Sequence, residues 1–99
     1  MTNTSIVDAI SRRQVLDIFY PPGRRIIEPH AIGYGSEGQI LVRAYQTSGA
    51  SASGEHINWK LFRLDRFHNG SPTGGTFAGP RPGYRRNDSA MKRGIIAQL

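Results

Sequence analysis

The 99 residues carry 13 Lys and Arg against 7 Asp and Glu, a formal net charge of +6, with a hydrophobic fraction of 37% and no cysteine. A chain this short supports one small hydrophobic core, and without thiols it has neither disulfides nor thiolate metal sites. No apolar run approaches the roughly 20 residues of a membrane span, and the start, MTNTSIVDAISRRQ, lacks a basic region followed by an apolar stretch, so the expected location is the cytoplasm.

Residues 4 to 14 are predicted to be helical. Ser5 is placed as the cap with Asp8 three residues on, and Ile6, Val7 and Ile10 form one apolar stripe. Val15 to Tyr20 reads as a strand with Leu16, Ile18 and Tyr20 on one face, and Pro21-Pro22-Gly23 turns the chain. Arg24 to Glu28 reads as a second strand stopped by Pro29, which cannot donate to a central ladder. After the turn Tyr34 to Gly38, Gln39 to Gln46 is the clearest strand, with Ile40, Val42 and Ala44 on one face and Leu41, Arg43 and Tyr45 on the other. Thr47 to Glu55 is a small-residue loop, expected to be mobile, and a last strand runs from His56 or Ile57 to Phe67. One helix followed by about four short strands predicts a mainly β fold: a small, bent antiparallel sheet or barrel.

The composition changes at His68. Residues 69 to 84 hold too much glycine and proline for regular structure, with Phe77 and Tyr84 as the only anchors. Ser89 to Leu99 can form a short helix with Met91, Ile95 and Leu99 on one side. The expected division is a β domain over 1–67 and a basic Gly/Pro-rich tail over 68–99.

A positive surplus on so small a chain favours polyanionic partners, nucleic acid first. Catalytic and metal chemistry find no pattern. His30, His56 and His68 have no ligand spacing, Gly74-Gly75 lacks the Lys-Ser/Thr of a phosphate loop, and Asp65 between two arginines suits an ion pair. No enzyme activity, metal or cofactor is therefore expected. The segment Phe62-Arg63-Leu64-Asp65-Arg66-Phe67 instead interleaves arginines with aromatics, as Arg43 and Tyr45 do one strand earlier. Arginine forks grip phosphates and aromatic faces stack on bases. The plainer reading pairs Arg63 and Arg66 with Asp65 or Asp17 at a solvated edge.

The order of Ala9-Ile10, a strand closing on Tyr20, Arg25-Ile26-Ile27-Glu28-Pro29, Leu41 with Ala44-Tyr45, and Phe62 to Phe67 resembles the WYL domain of bacterial regulators, an Sm-like or SH3-like small β-barrel. The similarity covers about residues 5 to 67. The tripeptide that names the family falls on Gln39-Ile40-Leu41, where only Leu41 agrees, and no helix-turn-helix domain precedes the barrel here. The resemblance implies a ligand-sensing or regulatory module that binds a nucleotide, oligonucleotide or single-stranded nucleic acid in a basic pocket. In that family the arginine matching Arg63 contributes to the pocket, so Arg63 would point inward, into a pocket shared with Arg43 or Arg25 and lined by Tyr45, with Arg66 as a further binding residue. The module would act through a protein partner or by self-association, with no membrane involved. A non-sensing nucleic-acid-binding barrel and a protein-interaction adaptor are the alternatives.

Overall fold

The computed structural model describes residues 1–99. Helix α1 spans Asn3–Ser11, and the strands are β1 (Gln14–Tyr20), β2 (Gly23–Tyr34), β3 (Ile40–Gly49), β4 (Asn58–Arg63), β5 (Asn69–Thr76) and β6 (Ile95–Gln98). A 3-10 turn, Leu64–Arg66, follows β4. The helix starts earlier than the Ser5 cap predicts. Thr2 Oγ1 accepts from the Ser5 amide at 3.1 Å while Ser5 Oγ accepts from the Thr2 amide at 2.9 Å, so Ser5 is the third helical residue of a reciprocal cap. Arg13 at φ 51° then turns the chain directly into β1, three residues before the predicted end.

All pairings are antiparallel, along the path β4-β3-β2-β1-β5, with β6 beside β2. The predicted mainly β architecture with a leading helix is therefore present, and the sheet is not closed into a barrel. Its inner face meets α1 in one cluster built from Ile6, Ala9, Ile10, Leu16, Ile18, Ile27, Ile32, Val42, Ala44, Phe62 and Phe67. A fully buried side chain of this kind contributes about 1.5–3 kcal/mol.

Strand β2 does not stop at Pro29. The β1 ladder ends at Ile27 and the β6 ladder begins at Ala31, so Pro29 lies in the gap where no neighbour on that edge requires an amide. The β2–β3 register slips between Pro29 and Ala31, leaving His30 as a bulged residue.

The C-terminal third departs most from expectation. Residues 69–76 form a strand, although every one of them is exposed. Their glycines and Pro72 have poor strand propensity, but β1 offers an otherwise unpaired edge, and Pro72 is tolerated on the new outer edge. The helix expected over Ser89 to Leu99 is replaced by β6. Gly94 at φ +120° turns the chain, and the open edge of β2 at residues 31–33 captures Ile95–Gln98. Between these strands, residues 77–94 cross the outer face of β2 and β3 as a strap. Met91 seals a second, smaller cluster with Ala31 and Leu41. The close approach needs Gly33, because a Cβ there would stand 2.5 Å from the Gly94 carbonyl oxygen and 2.7 Å from Met91 Sδ.

Candidate functional site

The strap is fastened at His30. This ring has no solvent exposure and lies among Phe77 (centroids 5.2 Å apart, stacked), Trp59 (4.7 Å) and Tyr84 (5.0 Å). Its Nε2 accepts the Arg81 amide at 3.1 Å, so the proton sits on Nδ1, which donates to the Glu28 carbonyl at 2.8 Å. Burial pushes the imidazole below its ordinary value, against the opposing pull of Glu28. Arg81 also forks onto the Glu28 carboxylate at 2.7 and 3.0 Å and lies 4.8 Å from the Tyr45 ring centroid, and Glu28 holds the guanidinium above its ordinary value. Trp59 Nε1 donates to the Pro82 carbonyl at 3.1 Å.

Residues 83–89 of the strap bound, together with Arg43 of β3 and Trp59 of β4, a cleft of about 500 Å³. Arg43 and Trp59 line it from the sheet, and Tyr84, Arg85, Arg86 and Asp88 line it from the strap. Arg43 forks onto Asp88, Nε to Oδ2 at 2.6 Å and Nη2 to Oδ1 at 3.4 Å. That interaction holds the Asp88 carboxyl below the usual carboxylate range, burial opposing it. Burial pushes the Tyr84 phenol up, and its hydroxyl donates toward the His30 and Leu99 carbonyls. Arg85 and Arg86 are exposed and have no carboxylate partner. Three guanidinium groups thus face one carboxylate beside two aromatic rings, an arrangement suited to an anion attached to a planar group.

The five residues singled out in the sequence do not share one pocket. Arg43 lines the cleft, and Tyr45 lies next to it under Arg81, edge-on to Trp59. Arg25 is buried elsewhere, donating to the Tyr20 and Pro21 carbonyls and to Gln46 Oε1, with Tyr20 and Phe62 rings 5.2 and 5.5 Å away. Desolvation lowers its guanidinium below the ordinary value. Arg66 lies 5.7 Å from the Tyr20 centroid, and the Arg63 amide donates to the Tyr20 hydroxyl at 3.2 Å. The Arg63 side chain points outward and pairs with Asp65 at 2.8 Å, both more than half exposed.

The segment Phe62 to Phe67 is therefore a corner that grips Tyr20. Its two phenylalanines enter the core and pack edge-on to that ring, while its charged positions stay outside or above it. Sequence pattern does not single out Trp59, Tyr84, Arg85, Arg86 or Asp88 as site residues. The one signal for them is the succession Tyr84-Arg85-Arg86, an aromatic followed by two cations, in a segment whose composition predicts no regular structure.

No three of the His, Asp and Glu side chains gather in a metal-binding arrangement, and no helix is long and apolar enough to cross a membrane. The chain matches no family model, no curated protein and no solved structure.

Proposed function

We propose that the protein is a cytoplasmic binding module of the WYL type, not an enzyme, that takes a nucleotide or a short single-stranded oligonucleotide in the cleft between β3–β4 and the strap. The observation that carries this is the cleft's lining: Arg43, Arg85 and Arg86 against the single carboxylate of Asp88, with Trp59 and Tyr84 alongside. The guanidinium groups would meet phosphate, and Trp59 and Tyr84 would stack with a base. The module would pass the bound state to a protein partner or to a second copy of itself.

The same proposal takes the curled sheet as an Sm-like barrel. Two strands separate β1 from β4 in the pairing order, yet the rings of Tyr20 and Phe62 at their ends lie 4.8 Å apart between centroids, and β6 extends the edge that β1 leaves. That proximity supports near-closure around the Ile6–Phe67 core.

Trp59 is the single tryptophan, so its fluorescence reports on the cleft directly. Titration with a short oligothymidylate at two salt concentrations should quench it and saturate. On a single strand each phosphate that a cation neutralises adds about 0.7 to the salt slope, so Arg85→Ala and Arg86→Ala should each flatten it by about that much. Absence of binding at low salt, or binding indifferent to both substitutions, overturns the proposal.

A further inference from the structure

We infer that Asp88 makes the cleft selective for a terminal phosphate monoester, so that a free nucleotide or the phosphorylated end of a single strand is held at Arg43 and an internal phosphodiester is not. The inference rests on the nucleotide reading of the cleft and names the ligand group that Arg43 receives.

The planar fork of Arg43 is already occupied by a carboxylate of charge −1, at 2.6 and 3.4 Å. That carboxylate is part of the same chain, and its Oδ1 also accepts the Ala90 amide at 3.0 Å. A tethered partner acts at an effective concentration on the order of millimolar, without any association cost. A phosphodiester, also carrying one charge, offers Arg43 nothing that Asp88 does not already supply. A phosphate monoester carries about −1.5 to −2 at neutral pH and three acceptor oxygens, so one group can serve Arg43 and the rim arginines together.

The positions of the arginines add to this. Arg43 is largely covered, its side chain 27% exposed and that of Asp88 9%, whereas Arg85 and Arg86 are open to solvent at the rim. A strand lying across the cleft meets Arg85 and Arg86. A terminal group that reaches Arg43 would take the place of the Asp88 carboxylate, whose Oδ1 has a second donor in the Ala90 amide. Asp88 thus acts as an internal competitor that only the more highly charged ligand displaces.

The test compares a short oligothymidylate bearing a 5′-phosphate with its 5′-hydroxyl twin, both labelled at the 3′ end, and includes inorganic phosphate as a competitor. Wild type should prefer the phosphorylated end by roughly tenfold, the scale of one charge-assisted hydrogen bond. In Asp88→Asn, which retains the acceptor for Ala90, the hydroxyl-ended strand should tighten and the preference should fall toward parity. Asp65→Asn removes a carboxylate at an exposed ion pair away from the cleft and should leave the preference intact, which separates selectivity from net charge. Competition by inorganic phosphate should weaken the phosphorylated strand more than its twin.

The preference is a ratio within one protein, so altered folding in a variant cancels, and equal binding of both ends by wild type overturns the inference even if Asp88→Asn does not fold. Equal binding of both ends by wild type, still weakened by Arg85→Ala, overturns the selectivity and spares the nucleotide site. Equal loss of preference in Asp65→Asn also overturns it. Failure of both strands to bind overturns the site and the selectivity together.

Discussion

Acidification should weaken the folded state through His30. Its neighbours are Glu28 on β2, Trp59 on β4, and Phe77, Arg81 and Tyr84 on the strap, and the only carboxylate among them is already held by Arg81. Protonating the ring would turn Nε2 from an acceptor into a donor facing the Arg81 amide, and would bury a charge among aromatics. The folded-state imidazole is accordingly pushed below its ordinary value, burial being the main cause. In the unfolded chain the same ring takes its proton near pH 6.5. Above that pH both states are neutral and stability is flat. Below it the unfolded state binds more protons, so stability is lost as pH falls and levels off only when the folded ring also titrates.

Each pH unit in which only the unfolded ring is charged costs about 1.4 kcal/mol. For a domain of this size that corresponds to a Tm lower by roughly 4–8 °C per kcal/mol. Thermal melts from about pH 7.5 to about pH 5.5, centred on the ordinary histidine value, should show the loss beginning near the middle of that range. His30→Gln should melt lower throughout, having lost its aromatic packing, with the His30 share of the pH slope removed. A wild-type Tm that is flat across the range, or an unchanged slope in His30→Gln, would refute the linkage.

Two further outcomes concern the strap and the corner. Arg81→Ala leaves the Glu28 carboxylate, 7% exposed, without its ion-pair partner and should cost roughly 1–3 kcal/mol in denaturant unfolding, whereas Arg63→Ala, from a pair more than half exposed, should leave the midpoint where it was. Equal midpoints for the two variants would mean that the strap contributes no more than a surface pair. Gly33→Ala should destabilise by roughly 1–3 kcal/mol, since its Cβ would overlap Gly94 and Met91, while Gly79→Ala, with open space around it, serves as the control. Similar melting of both would show that the strap yields easily to the added carbon.

Helix α1 and the first four strands are legible in the sequence because their signals are local. Ile6 and Ile10 recur at helical spacing, and Leu16 with Ile18, and Val42 with Ala44, recur at strand spacing, each set facing the same core. The basic surplus and the place of Arg43 on the outer face were legible for the same reason. Local pattern could not show that Asn69–Thr76 is a strand, since its residues have no inward face and are held by the free edge of β1. Nor could it show β6, where the vacant edge of β2 overrides a weak helical spacing.

The cleft was beyond reach for a related reason. Arg43 meets Asp88 across 45 positions and Arg81 meets Glu28 across 53. Such pairings are set by which backbone edges remain open after the meander has formed, and by the fit of His30 among three aromatic rings. Composition says that residues 68–99 are basic and rich in glycine and proline. Only the folded sheet, with an unpaired edge and an apolar outer face to cover, decides that they dock on it and leave the arginines of the cleft where they stand.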